Sequence, residues 1–311
     1  MTSIAGIVSV LLVAAGLFYT NEANRKQQEL NRAQQALAER GQAADRFSRV
    51  IDQLGQEGDD RVSIRLGAIY ALERLMRDAP SDLPAVVEVL NAFVRSHAAR
   101  LPEPPRPDGW RPPESPADVR AAVVALARRP SPRTFPNADF SGLVLGLPYL
   151  HVDGAFLSEV DLRFVDLRGA SLANANFRLA DLSFADLFAS DLFHGSFGGA
   201  LLHGAAIQAA DLSEADLRGA QLSSADLTKA RLRGADMTGA DLSHAILRDA
   251  DVHGADLSKA SLARADLSAT DLSETFGLSS SQLRCTILEG ARLPTGVVGR
   301  DTDVVLSDPS C

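Results

Sequence analysis

Six histidines, two cysteines and many serines and aspartates are the residues of this 311-residue chain that could do chemistry. A catalytic triad or a metal site needs several such side chains to converge in a fixed geometry. Three of the histidines, His194, His203 and His244, fall in a stretch where similar residues recur every five positions. Whether they meet any partner therefore depends on how that repeat folds.

The repeat runs from Ala155 to Glu274 as 24 consecutive pentads of the form Ala-Asp-Leu-x-x. The third residue is Leu in 19 pentads and apolar in the other five, and the first residue is Ala in 19. A period of five fits neither the turn of an α-helix nor the alternation of a strand, so the backbone must turn regularly. Four such sides, each with its third residue pointing at the axis, would make one coil.

Pentads such as Ala180-Asp181-Leu182-Ser183-Phe184 resemble those of the pentapeptide-repeat proteins. The resemblance implies a right-handed, four-sided β-helix with four pentads in each coil. We therefore expect a mixed fold, in which a right-handed quadrilateral β-helix is preceded by a transmembrane helix and a small α-helical module. Third-position residues four pentads apart should stack in its core, as in the column Leu172, Leu192, Leu212 and Leu232.

No histidine lies above another histidine in such a coil. The neighbours one coil away are Asn174 and Glu214 for His194, Ser183 and Ser223 for His203, and Ser224 and Arg264 for His244. The chain also contains no phosphate-binding loop, redox motif or zinc ribbon. We therefore predict no catalytic, metal-binding or cofactor-binding residues, so that the protein is not an enzyme and needs no cofactor.

Residues 1–20 contain no charged side chain and are about as long as the 17 to 25 residues that cross a bilayer. The basic residues that follow are Arg25, Lys26, Arg32 and Arg40. An excess of basic residues marks the cytoplasmic side of a span. We therefore predict a single-pass plasma-membrane protein with its C-terminal body in the cytoplasm.

A cleaved signal peptide is the alternative for this segment. It would require a basic residue near the N-terminus, whereas none precedes Arg25, and Ala14-Ala15-Gly16 is a poor cleavage site. Cys285 and Cys311 are too few for a disulfide framework, and reduced cysteines are typical of the cytoplasm. The anchor is the favoured interpretation.

Helical periodicity predicts a polar stalk helix and a helical module within residues 21–100. The module's helices should span about 61–78 and begin again after Ser81, whose hydroxyl could cap the first turn. Seven prolines and Trp110 crowd residues 101–116, which predicts an extended linker between two domains.

Residues 117–134 should form a helix that caps the open end of the β-helix, since an uncovered coil would template association. The β-helix with its C-terminal cap is expected over 135–294, and 295–311 should be a tail. The first pentads are out of phase with the rest, which predicts a two-residue bulge near Asp153. Ser279 should begin a short helix, after which Leu288, Ala291 and Leu293 close the last coil.

The repeat carries 18 acidic and 10 basic residues, so its charge of −8 is nearly all of the chain's −9. One outward column contains Asp191, Asp211, Asp251 and Asp271. In one interpretation these carboxylates bond backbone amides at the corners. In the other, the acidic rod imitates DNA, as the resemblance implies for the quinolone-resistance members of the family, which resemble DNA to gyrase. Direct binding of nucleic acid is not expected.

Large apolar side chains occupy positions where the repeat does not require them, and all lie in the early coils. They are Phe164, Leu179, Phe184, Phe188 and Phe193. An exposed apolar patch predicts either an internal cover, by the helical module or the Pro-rich linker with Trp110, or a partner protein. We therefore predict a non-enzymatic interaction platform for an unidentified protein partner, with a topoisomerase-protecting DNA mimic as the alternative.

Membrane attachment is directly testable by cell fractionation. The full-length chain should sediment with membranes and be released by detergent but not by high salt, because an apolar span is held by the bilayer core. A variant lacking residues 1–20 should move to the soluble fraction. Reporter fusions should place the C-terminal body in the cytoplasm. Soluble full-length protein, or cleavage near Ala15, would contradict the prediction.

Overall fold

The computed structural model describes residues 22, 24–32, 34–35, 45, 47–100, 114–129 and 143–297. The chain divides into two compact units between Gly55 and Gln56. In the first unit, residues 24–32 and 47–54 are helical. None of the described helices combines the length and apolar character needed to cross a bilayer, and the predicted anchor lies outside the described residues.

Three α-helices open the second unit, which confirms the helical module. They are α1 (Val62–Asp78), α2 (Leu83–His97) and α3 (Ala117–Ala127). The predicted stripes are buried, with Leu72 of α1, Leu90 of α2 and Val119 of α3 each 0% exposed. The expected cap by Ser81 is wrong, because α2 begins after Asp82 and has no side-chain cap, while a proline occupies its first turn.

A buried ion pair joins α1 to α3 across 53 residues of sequence. Arg65 Nε lies 2.6 Å from Asp118 Oδ2, and the two side chains are only 6% and 2% exposed. Arg65 Nη1 also donates to the carbonyl oxygens of Gln56 and Gly58, each at 2.8 Å. Because removing one partner of such a pair leaves a buried charge uncompensated, the three helices depend on it for their arrangement.

The helices cover the first coil of the solenoid through α3. Phe156 N–H in the first pentad donates to the Ala127 carbonyl (2.8 Å), so the helix end takes the place of a preceding coil. Arg129 Nη1 donates to the carbonyls of Leu126 (2.7 Å) and Phe156 (3.1 Å). Two short strands, β1 (Ala99–Arg100) and β2 (Leu143–Val144), pair antiparallel beside this junction. The edge that the sequence predicted to need a cap is therefore occupied.

Parallel coils of four pentads confirm the repeat solenoid. Second-position residues pair from coil to coil, as Asp191 does with Asp211. Each pentad donates its second-position N–H to the preceding coil and its third- and fifth-position N–H groups to the following coil. In one pentad these bonds are Asp211 to Ser190 (2.9 Å), Leu212 to Arg231 (2.7 Å) and Glu214 to Arg233 (2.8 Å). The chain thus turns once in every pentad, four times in each coil.

Each corner is a β-turn whose central residues are the fourth and fifth of a pentad. The first-position N–H closes it on the third-position carbonyl before it, as from Ala170 to Leu167 (3.1 Å). The fifth residue has a positive φ at every pentad from Glu159 to Ala269, whereas the fourth does not, which is the pattern of a type II turn. First- and third-position side chains lie inside, including the column Leu172, Leu192, Leu212 and Leu232, at most 2% exposed.

Regular coils extend further toward the N-terminus than the sequence predicted. Gly146 pairs with Asp166 and His151 with Ser171, each in the next coil. Leu147 and Val152 are 1% and 0% exposed and serve as third-position residues. The bulge predicted near Asp153 is therefore wrong, because the apolar third position had been assigned to the wrong leucines.

The last coil departs from the repeat over residues 277–285, where irregular structure replaces one side. The coil is longer by a single residue, so Asp266 pairs with Ile287 rather than with Thr286. Hydrogen-bonded turns occur here instead of the short helix predicted after Ser279. Gln282 Nε2 donates to the carbonyls of Leu257 (2.8 Å) and Ala260 (3.0 Å), which satisfies acceptors of the coil below.

The cysteine in this irregular stretch also differs from the prediction. Cys285 is disulfide-bonded, so the expectation of reduced cysteines is wrong at this position.

The register predicts opposite responses at neighbouring positions of one pentad. Leu212→Arg should lower the free energy of unfolding by more than about 3 kcal/mol, because a lone charge would enter the packed axis. Ser213→Arg should change it by less than about 0.5 kcal/mol, since Arg218 in the same position of the next pentad simply bonds Asp216 (2.7 Å). Chemical denaturation measures both, and equal losses would refute the register.

Candidate interaction surface

The acidic column is used by the fold itself. The fourth-position N–H is the one backbone donor of the pentad that neighbouring coils do not accept, and the second-position carboxylate takes it. The four donors are Phe193 to Asp191 (3.1 Å), Ser213 to Asp211 (3.0 Å), His253 to Asp251 (3.3 Å) and Ser273 to Asp271 (3.0 Å). Asn176 makes the same bond to Arg178 N–H (3.1 Å), so the acceptor oxygen matters more than the charge.

Arginines reach three of these four carboxylates. Their pairs are Arg231 with Asp211 (3.5 Å), Arg233 with Asp251 (3.1 Å) and Arg292 with Asp271 (3.5 Å). Burial alone would raise the pKa of Asp211, but hydrogen bonds from Ser213 and Arg231 outweigh it and lower that pKa below its ordinary value. The column is therefore a set of internally bonded carboxylates, which favours the structural interpretation.

Three exposed apolar side chains share one side of the rod, here called face 2, formed by the pentad that begins at Val160 and the pentads stacked on it in later coils. Leu179 (60% exposed) lies at the corner before face 2, and Phe184 (49%) lies at the corner after it. Leu201 (42%) lies between them, one coil further on, paired with Asp181. We call Leu179, Phe184 and Leu201 the face-2 cluster. Later coils place polar residues on this face, among them Gln221, Ser224 and Asp241.

Aromatic rings continue the cluster along its corner. Phe164 and Phe184 are stacked with centroids 5.2 Å apart and planes 6° from parallel, and His203 meets Phe184 edge-on at 5.3 Å. Phe184 also lies over Gly204, where an added Cβ would be 2.8 Å from the ring. Leu179 covers Gly199 in the same way, at 2.9 Å. Each large side chain is thus accommodated by a glycine in the next coil.

The solenoid would be easier to form without these side chains. Leu179 and Phe184 have φ values of 58° and 60°, a left-handed conformation that costs an L-residue about 1–2 kcal/mol and costs glycine almost nothing. Leu201 occupies a second position, where Asp would accept the fourth-position amide. The cluster therefore persists at the expense of the fold, which indicates a role outside it.

The structure separates the other two predicted residues from this cluster. Phe188 (49% exposed) and Phe193 lie at the next two corners of the coil, and Phe193 packs against His194 at 4.1 Å. The described helices meet the solenoid at its first coil and leave Phe184 and Phe188 half exposed. Leu201 was missed by the sequence reasoning, although an apolar residue in a position usually occupied by Asp was a usable signal.

The histidines have the neighbours that the four-pentad coil implied. His194 Nε2 lies 3.1 Å from Glu214 Oε2, and His203 Nδ1 lies 2.9 Å from Ser223 Oγ. Within the described part of the chain, no group of three or more His, Cys, Asp or Glu side chains could hold a metal ion. The chemistry of this surface is that of contact rather than of catalysis.

A family model for pentapeptide repeats matches the solenoid in eight copies, over residues 156–192, 200–239 and 235–274. A pentapeptide repeat protein from the Arabidopsis thaliana thylakoid lumen is 31% identical, with 33% of this chain and 69% of that one covered, at a TM-score of 0.22. The chain belongs to the pentapeptide-repeat family. No curated protein sequence matches it significantly.

Other solved pentapeptide-repeat structures are also similar to the chain. HetL, involved in heterocyst differentiation regulation in the cyanobacterium Nostoc, is 29% identical, covering 52% of this chain and 87% of HetL, with a TM-score of 0.18. QnrB1, a plasmid-mediated fluoroquinolone resistance protein, is 20% identical, covering 50% and 90%, with a TM-score of 0.28. These relatives have different biological roles, so membership in the family does not by itself assign one here.

Acid should destabilise the solenoid through carboxylates such as Asp266, which is 6% exposed. Burial raises its pKa, but bonds from Ser268 and Arg248 outweigh this and the pKa is lowered. A carboxyl with a depressed folded-state pKa stabilises the fold above its unfolded value, about 3.9, and loses that contribution as pH falls through the folded value.

The melting temperature should therefore fall below about pH 4. Asp266→Asn keeps an acceptor for the backbone amide but loses the charge that faces Arg248, so it should melt lower at neutral pH, and the gap to wild type should close in acid. Thermal melts monitored by circular dichroism from neutral to acidic pH would measure this. A gap that stays constant with pH would contradict the assignment.

Proposed function

We propose that this protein is a non-enzymatic, membrane-anchored scaffold whose solenoid, wound right-handed as in its family, binds a partner protein through face 2. The observation that carries the proposal is the face-2 cluster, where three exposed apolar residues occupy positions that the fold would fill more cheaply with Gly or Asp. Clustered apolar anchors of this kind dominate the energetics of protein interfaces. The partner itself is identified only by its chemistry, an apolar protein surface.

We further propose that the body lies on the cytoplasmic side of the plasma membrane. The uncharged residues 1–20 and the basic residues that follow support this orientation. The disulfide at Cys285 supports the opposite side, because disulfides persist in oxidising compartments. The reporter fusions described above decide between the two sides.

A DNA mimic that protects a topoisomerase is the second candidate, favoured by the repeat's charge of −8. Changing Asp191, Asp211, Asp251 and Asp271 to Asn tests it without removing the acceptors of the backbone bonds, as Asn176 demonstrates. We expect purified protein to leave DNA gyrase unaffected. Gyrase binding that weakens with salt and is lost in the Asn variant would favour the mimic instead.

Substitutions copied from the next coil test the face-2 proposal. Leu179→Gly reproduces Gly199 and Leu201→Gln reproduces Gln221, so the pair should keep or slightly raise the melting temperature. Partner capture from native extract, identified by mass spectrometry and repeated with the purified partner, should weaken about tenfold or more, because anchor residues contribute about 2 kcal/mol each.

Phe188→Gln, which reproduces Gln208 at another corner, is the matched control and should retain full binding. Three outcomes would count against face 2: unchanged affinity in the double variant, equal losses in the control, or a melting temperature that falls together with binding.

A further inference from the structure

The corner that carries Phe164 and Phe184 is also where residues 101–113 are tethered. Gly146 pairs with Asp166, so Val144 lies directly before Phe164 in the same column, and its strand β2 pairs with β1. The segment leaves β1 at Arg100, opposite Leu143, and rejoins the described chain at Glu114, which pairs with Gly146. Both of its ends are thus fixed close to one another on the first coil, beside the stacked rings.

The tether is short enough to decide what it can reach. Trp110 is four residues from Glu114, which allows about 13 Å of extended chain. Phe164 lies two coils above Glu114 and two residues along the coil, about 12 Å away at the usual strand spacing of about 4.8 Å. Trp110 can therefore reach the stack, and a short loop closed at both ends keeps it near that corner at high effective concentration.

The composition of the segment matches this surface. Six prolines among residues 101–113 favour an extended polyproline conformation, which has little entropy left to lose on docking. Pro-rich segments bind surfaces lined by aromatic rings, and the stacked rings of Phe164 and Phe184 provide one. Phe184 remains 49% exposed toward it. A tryptophan offers a large apolar surface for such a contact.

We propose that residues 101–113 dock along the corner of Phe164 and Phe184, with Trp110 packed against the two rings. The contact would fasten the chain between the helices and the first coil onto the outside of the second and third coils. It is independent of partner binding through Leu179 and Leu201, so either proposal can fail while the other stands.

Trp110 is the only tryptophan in the chain, so its fluorescence reports this contact alone. The experiment uses the full-length protein in detergent, excited where tyrosine does not absorb, with iodide as the quencher. Wild type should emit at the short wavelengths of a buried indole and be poorly quenched. Phe164→Ser with Phe184→Ser, which introduces the residue found at Ser224 in the same column, should shift the emission to that of a solvated indole and increase quenching severalfold.

Phe188→Gln is the matched control, since Phe188 is equally exposed at another corner. It should leave emission and quenching unchanged. Far-UV circular dichroism verifies the fold of each variant, and Phe184→Leu replaces the double variant if the latter does not fold, because it removes the flat ring while keeping apolar volume. A solvated wild-type tryptophan, emission unaffected by loss of the Phe184 ring, or an equal shift in Phe188→Gln would overturn the proposal.

Discussion

Satisfaction of the backbone amides is the constraint on which the rest of this solenoid depends. Four of the five N–H groups in a pentad bond to neighbouring coils or close the corner turn, as the pentad around Leu212 shows. The remaining N–H, that of the fourth residue, is exposed at the corner and bonds the second-position side chain, as Ser213 bonds Asp211 (3.0 Å). The three recurring residue types follow: Leu fills the axis, Ala fits beside it, and Asp accepts the remaining amide.

The same constraint explains the two ends of the rod. A first coil has no coil beneath it, and the Ala127 carbonyl at the end of α3 accepts the N–H that would otherwise lack a partner. At the last coil, the side chain of Gln282 supplies donors to two carbonyls that a further coil would have bonded. Both ends are thus completed by irregular structure, which blocks the edge-to-edge association of exposed strands.

The periodic part of the fold could be predicted from sequence because one local rule repeats in 24 pentads. What it left out depends on long-range contacts or on weak turn signals. The Arg65–Asp118 pair spans 53 residues, and no periodicity links its members. The type II turns were hidden because Glu159, Lys229 and other ordinary residues stand where glycine would have announced a positive φ. The exposed side chains at Leu179 and Phe184 were predictable, but their sharing of face 2 with Leu201 was not, since that requires knowing where each corner falls.

Net charge is a poor guide to function in this architecture. Asp occupies the second position in 14 of 24 pentads, and its charge accompanies an oxygen that the backbone requires. A solenoid of this composition is acidic whether or not anything binds it, so the charge of −8 does not distinguish a DNA mimic from a scaffold. The informative residues are those that the repeat would exclude. Leu201 forgoes the Asp bond, and Leu179 and Phe184 hold left-handed backbone conformations, each a cost that the fold alone does not explain.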